Sequence, residues 1–457
     1  MERQWVPGWV WTALVLLHLL IFCWVLRAES WSFPDSGRYL QAAENIRLHG
    51  ELYARPWTGA QPQGQAVQEF TIRTLGYPLV VMGLGRGSSR LWTLLVFQNL
   101  LSMLNIGLVL TWWARRAQPT TRQWLVVLVG ITTFPAQFIY ANAVMSEVLL
   151  QTVVLTMTWA VVAFIRRRQL RYFAVGMGAL VVALLIKPVF YPLAVVPAVL
   201  GMVLVWRWRT AQSLAILGLM PLVVVGMYMG WNKQRTGYAH FSSIAEINLL
   251  HYNAAGVLRQ VAGPAAEEIW VAGVLNDASV QPNFAARQQL IQRRAGAVLW
   301  AHPLVYARQH AQGMVTLFLD PGRFDISHLA GLAEPGGGGL LAQVRAGGLL
   351  RALSHLPVGL LTVLALVLLA NGIRLVLAAR GFWRLGTSGQ KLRNGRWIAL
   401  GLLVYVALLT GPLGAARFLV PVWPLLLAFA LVGLKWPDEA EAVSAVNQTA
   451  PMREGQC

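Results

Sequence analysis

Charge is scarce in this 457-residue chain, and cysteine is nearly absent. Only 12% of its residues are Asp, Glu, Lys or Arg while 56% are hydrophobic, a balance that a soluble core cannot hide. Cys23 lies inside the first apolar run and Cys457 is the last residue, so a structural disulfide is not expected. The histidines form no H-E-x-x-H pair and have no cysteine support, which removes the usual zinc signatures. The period-two alternation of an outer-membrane barrel is missing too. What recurs instead are apolar runs near or above eighteen residues, which make lipid the solvent and helices the spanning element. The expected class is an all-α polytopic membrane protein.

Acids are the scarcer charge, 18 against 37 Lys plus Arg, for a net charge of +19. In a soluble protein this excess would suggest a nucleic-acid partner. Here topology accounts for it, and no nucleic acid is expected. Hydropathy predicts about ten spans, near 9–26, 91–113, 123–140, 147–165, 172–187, 189–206, 211–231, 357–379, 397–415 and 418–434. Basic residues cluster between alternate spans: Arg115, Arg116 and Arg122; Arg166, Arg167, Arg168 and Arg171; Arg207 and Arg209; Arg380, Arg384, Lys391, Arg393 and Arg396. None of these loops holds an acid. The positive-inside rule puts them in the cytoplasm together with both termini, and the first span reads as an uncleaved signal anchor.

The acids that are not terminal then fall in or beside outward segments, chiefly a first loop of about 27–90 and a large one of about 232–356. The expected organisation is a transmembrane domain over 1–435 and a disordered cytoplasmic tail over 436–457. No internal repeat of the transporter kind is evident. The glycine run within Glu334–Gly339 suits a hinge or lid, or a passive loop. Residues 284–319 show helical spacing broken at Pro303, which predicts two helices lying against the membrane.

Three outward elements carry chemistry. In the first, Tyr39, Ala42, Ala43 and Ile46 repeat at helical spacing, with Asp35 or Ser36 placed to cap and Gly50 to stop. This predicts a short interfacial amphipathic helix on which Asp35, Arg38 and Tyr39 share a face. The second places Glu69 and Arg73 before a Gly76-Tyr77-Pro78 turn. The third is Ser146-Glu147 at the mouth of a span, where the helix dipole alone would also favour an acid. Two cations border apolar runs, Lys187 beside Pro188 and Arg417 before the last span, and a charge so placed asks for a functional reading or for snorkelling to the interface. A divalent ion could be held by long-range approach of Glu69, from the first loop, to His240 or His251 of the large loop.

Taken together, Asp35-x-x-Arg38-Tyr39 with a helix ending at Gly50, then Arg73-Thr74-Leu75-Gly76-Tyr77-Pro78-Leu79, Ser146-Glu147, Trp231-Asn232 and Arg417-Phe418-Leu419-Val420-Pro421, resemble the GT-C superfamily. The likeness is to its polyprenyl-phosphate-sugar-dependent glycosyltransferases, the protein O-mannosyltransferase and aminoarabinose lipid A transferase group. It departs in Ser36, where many relatives have a second acid, and in Thr74-Leu75 before Gly76-Tyr77-Pro78, where Pro-Gly-Tyr-Pro is commoner. The resemblance implies sugar transfer, with inversion, from a polyprenyl-phosphate donor to a lipid, glycan or protein acceptor outside the cytoplasm.

On that reading Asp35 is the general base, its basicity expected to be raised at a partly dehydrated boundary. Arg38, Lys187 and Arg417 bind the donor phosphate. Tyr39, Glu69, Arg73, Tyr77, Glu147 and His251 are further candidates. No cofactor is called for, and a divalent metal is compatible. The expected location is a bacterial inner membrane with the site facing the periplasm or exterior. The competing readings are a transporter or flippase and a polymerase or ligase of lipid-linked polysaccharide.

Overall fold

The computed structural model describes residues 5–85, 90–207, 212–332, 356–387 and 390–436, and every regular element among them is helical. The glycine run at 334–339 and the tail beyond 436 lie outside the described residues. Among the described residues, seven helices are long and apolar enough to cross a membrane: Gly8–Ala28, Leu91–Ala117, Glu147–Arg167, Gln212–Thr236, Val358–Thr387, Leu392–Leu413 and Ala416–Leu434. The chain is an integral membrane protein. Three of these helices end alike, with Arg27, Arg115 and Arg116, or Arg166 and Arg167 in the last turn and a left-handed residue (Glu29, Gln118, Arg168) whose N–H closes on the preceding turn. Cations there meet the negative end of the helix dipole.

Three predicted spans take a different form. The run over 123–140 is a bent pair, Thr121–Thr132 and Pro135–Ala141, turned by 59°. Pro135 supplies no N–H to the first helix and restricts Phe134, so the helix cannot continue through it. A carbonyl freed at the break and a neighbouring hydroxyl are met by a buried cation: Arg374 donates to Gly130 O at 2.8 Å and to Thr133 Oγ1 at 3.2 Å, with Asn371 Oδ1 accepting at 2.5 Å on its other side. The run over 172–206 is likewise interrupted. Leu170–Ile186 stops where Pro188 forces Lys187 into an extended conformation (φ −146°, ψ 125°), and a 3-10 segment, Pro188–Ala194, precedes the helix Val195–Arg207.

Glycines fix the closest helix approaches. A Cβ on Gly381 would lie 1.9 Å from Phe429 O and one on Gly433 1.9 Å from Leu377 O, so Val358–Thr387 and the last helix touch backbone to backbone. Inside the bundle a polar chain runs through otherwise apolar helices. His18 Nε2 pairs with Ser102 Oγ at 2.9 Å, Gln137 donates to Ser102 Oγ at 2.8 Å, and Gln151 bonds Gln137 at 2.8 Å and Val420 O at 2.6 Å. Such satisfied groups fix helix register where lipid offers no alternative partner. Residues 284–319 form two helices broken at Pro303, Phe284–Ala301 and Pro303–Leu319.

Candidate active site

The first loop delivers Asp35 at the entry of the helix Ser36–His49, which ends at Gly50 in the left-handed region (φ 72°). Neither Asp35 nor Ser36 caps that helix with its side chain. Ser36 Oγ accepts from Phe33 N at 2.9 Å and donates to Val144 O at 3.0 Å, stitching the loop to the segment that leads into Glu147. The Asp35 carboxylate is thereby left to longer-range partners. Arg73 donates to Oδ1, and Arg417 donates to Oδ2 at 3.0 Å.

Each partner is held by a close backbone contact. Arg73 precedes the helix Gly76–Gly85, whose Gly76 sits so near Leu185 O that a Cβ would lie 2.7 Å from it. That contact joins the Arg73 segment to the end of the helix Leu170–Ile186, beside Lys187. Arg417 rides on Ala416–Leu419, where Ala416 N donates to Asp320 Oδ2 at 2.8 Å. The turn before it is clamped by the large-loop helix Pro303–Leu319: a Cβ on Gly313 would lie 2.0 Å from Gly411 O, and one on Gly414 1.9 Å from Gly313 O. Glu147, fully buried at the start of its helix, takes Lys187 Nζ at 2.6 Å and has Arg417 Nε at 4.0 Å. Asp35, Arg73, Glu147, Lys187 and Arg417 thus form one cluster. It lies at the end of the bundle opposite the basic turns of Leu91–Ala117 and Glu147–Arg167.

Three cations face two carboxylates in this cluster, so it carries one positive charge in excess. Glu147 Oε2, Arg417 Nε, Arg73 Nε and Thr74 Oγ1 are buried with no hydrogen-bond partner among the described residues. Unsatisfied polar atoms of this kind cost stability and are kept where a site needs them. Asp35 departs from the expected raised basicity. Burial does push its carboxyl up, but the guanidiniums of Arg73 and Arg417 outweigh burial and hold it down at about 2.

Two phenols wall the cluster. Tyr39 is buried under the Arg73 guanidinium, 4.9 Å from its ring centroid, and packs edge-on against Tyr77 at 4.8 Å. Tyr77 Oη donates to Gln98 Oε1 at 2.7 Å. Beside the cluster lies a third acid that the sequence did not single out. Asp325 is 5% exposed and accepts from Tyr140 Oη at 2.8 Å. Burial pushes its carboxyl up to about 7, against the pull of the Tyr140 hydrogen bond. The only sequence signal for it is an acid within an apolar stretch, following the Asp320-Pro321-Gly322 turn.

Arg38 does not join this cluster. Its guanidinium forks onto Glu69 at 3.2 and 3.3 Å, and Arg55 shares the same carboxylate at 3.3 Å. His240 pairs with Thr71 Oγ1 at 2.7 Å, and His251 is exposed on the π-helical turn Leu249–Ala254 and takes no part in these ion pairs. Among the described residues no three His, Cys, Asp or Glu side chains approach closely enough to hold a metal ion. No protein-family model matches the chain, and no curated protein matches it in sequence.

Proposed function

We propose that this protein is a membrane glycosyltransferase of the GT-C kind. It transfers a sugar from a polyprenyl-phosphate carrier to a nucleophile on a lipid, glycan or protein acceptor. In this reading ten segments cross the bilayer, the bent pair and the interrupted 170–207 stretch included, and both termini are cytoplasmic. The cluster faces the periplasm or exterior of a bacterial inner membrane. The observation that carries the reading is the carboxylate of Asp35 set among Arg73, Arg417 and Lys187 at one end of an apolar bundle. A lipid tail can dissolve between the helices there while its phosphate meets the cations.

The surplus positive charge of the cluster suits a phosphodiester, which carries one negative charge. Lys187 supplies a point charge and Arg417 a planar fork for the phosphate oxygens. Arg38, engaged on Glu69, is not part of this phosphate set. In the reaction, the acceptor oxygen or nitrogen gives its proton to Asp35 and forms a bond to the anomeric carbon from the face opposite the phosphate. The bond from that carbon to the phosphate oxygen breaks, and its electron pair leaves on the carrier phosphate. The cations stabilise that developing charge, a contribution of about 3 kcal/mol per well-placed group. All charges of the cluster gather at one end of the bundle, which supports a reaction centre over a conduction path.

The reading is tested by supplying the purified protein in liposomes with polyprenyl monophosphates charged with a labelled hexose or pentose, and separately with a polyprenyl-diphosphate glycan. Covalent transfer from the monophosphate donor is expected. Transfer only from the diphosphate would favour a polymerase or ligase, and solute movement without transfer would favour a transporter.

A further inference from the structure

Both oxygens of Asp35 are occupied, one by Arg73 and the other by Arg417. Each oxygen keeps a further lone pair and the side chain is 20% exposed, so an acceptor can reach it, but a carboxylate paired with two guanidiniums is a weak base until one of them leaves. The two differ chiefly in exposure. Arg73 is 9% exposed and lies over the Tyr39 ring, whose own position is set by the packed Tyr77. Arg417 is 24% exposed and lies over the ring of its chain neighbour Phe418 at 4.6 Å; like that of Arg73, its Nε has no hydrogen-bond partner among the described residues, and Glu147 lies 4.0 Å away. That second acid is already served by Lys187 at 2.6 Å. Arg417 therefore has a half-used guanidinium and a rotatable side chain, in a cluster with one positive charge to spare.

We propose that Arg417 is handed from Asp35 to the carrier phosphate, so that the base is relieved of one of its two cations only when the donor is in place. The inference rests on the glycosyl-transfer reading and adds an order of events to it. A phosphate offers the same charge and a similar oxygen spacing to the guanidinium fork, so the swap exchanges one charge-assisted pair for another. Loss of Arg417 from Oδ2 has two consequences. The oxygen becomes more open to an acceptor, and the carboxylate loses one of the charges that depress its affinity for protons. Acceptor deprotonation is then tied to donor occupancy, which keeps an acceptor from being activated at an empty donor site. Arg417 is in this scheme both a phosphate ligand and the residue that positions and releases the base.

The test is a double-mutant cycle on binding of polyprenyl phosphate to the full-length protein in lipid nanodiscs. If Asp35 competes with the phosphate for Arg417, Asp35→Asn tightens binding by roughly tenfold, the size of one charge-assisted hydrogen bond. Arg417→Ala weakens binding, and Asp35→Asn added to it restores nothing. Should Arg417→Ala fail to insert, Arg417→Lys keeps the charge without the fork and is expected to shrink the gain from Asp35→Asn severalfold. Equal tightening with and without Arg417 would show only through-space repulsion and overturn the exchange while leaving the donor reading intact. Weaker binding by Asp35→Asn would overturn it as well. If no form binds polyprenyl phosphate, the donor reading falls and the exchange with it.

Discussion

Two acids of the first loop each hold two arginines, yet the assemblies differ in where the arginines come from. Glu69 takes Arg38 and Arg55, both from the same loop, with side chains 35% and 57% exposed. Asp35 takes Arg73 from its own loop and Arg417 from 382 residues away, with side chains 9% and 24% exposed. The Glu69 assembly is a strut: its carboxylate is buried, its backbone carbonyl accepts from Ala54 N at 3.1 Å, and its arginines remain solvated. The exposed arginine ends are partly screened by solvent, and the assembly orders its own loop. The Asp35 assembly ties together distant segments and leaves buried polar atoms unpartnered, an arrangement that makes sense when a ligand completes it. The difference teaches that, of two similar carboxylate–arginine groupings, the one assembled from distant segments with polar capacity to spare is the better candidate for chemistry.

The sharpest way to break this comparison is to remove one arginine from each assembly. Arg73→Ala is expected to lower turnover about a hundredfold, because Asp35 loses its fixed partner and with it its aim. Arg55→Ala should stay within about threefold of wild type; similar losses in a transfer assay would erase the distinction. A smaller effect, roughly tenfold on turnover, is expected for Gly313→Ala. Its new methyl would press on the Gly411 carbonyl and shift the turn that carries Arg417, although Gly313 touches no reacting group. Unchanged activity with unchanged donor affinity would mean that this clamp does not set the position of Arg417.

The smallest effect concerns pH, where Asp35 and Asp325 should act in opposite senses. Asp35 is held at about 2, below its ordinary 3.8. Its contribution to stability is therefore present above pH 3.8 and lost as pH falls toward 2. Asp325 is raised from 3.8 to about 7. Its contribution is complete below pH 3.8 and lost as pH climbs through 7. Thermal unfolding between about pH 4.5 and 8 should show stability falling in wild type. The slope should flatten in Asp325→Asn, which keeps an acceptor for Tyr140. An identical slope in both proteins would place the titration elsewhere.

Much of the site was legible as charge where apolar sequence is the rule. Asp35, Glu147, Lys187 and Arg417 each stand at the edge of a long apolar run, and the structure brings all four together. The pairing of Asp35 with Arg38 and Tyr39 on one helical face was less well founded. Asp35 is the N-cap residue and its backbone is near-helical (φ −88°, ψ −17°), but its carboxylate is drawn to Arg73 and Arg417, and Arg38 turns to Glu69 instead. Helix stops set by Gly50 and Pro303 follow from local chemistry and were readable. The break at Pro135 and the stop at Ile186 also have local causes, but averaging hydropathy over a window conceals them. The same averaging hides His18, Ser102, Gln137 and Gln151, single polar residues whose partners lie on other helices. Tyr140 and Asp325 are 185 residues apart, and no local pattern joins them.

The central claim is that Asp35 performs the chemistry while Glu69 only braces the loop. It is tested most directly by turnover per inserted molecule in membranes supplied with a polyprenyl-phosphate sugar, comparing Asp35→Asn with Glu69→Gln. The expected result is a loss of at least ~100-fold for Asp35→Asn, the usual scale for removing a general base, and a change within about threefold for Glu69→Gln. Near wild-type turnover by correctly inserted Asp35→Asn, or equal losses in the two variants, would contradict it.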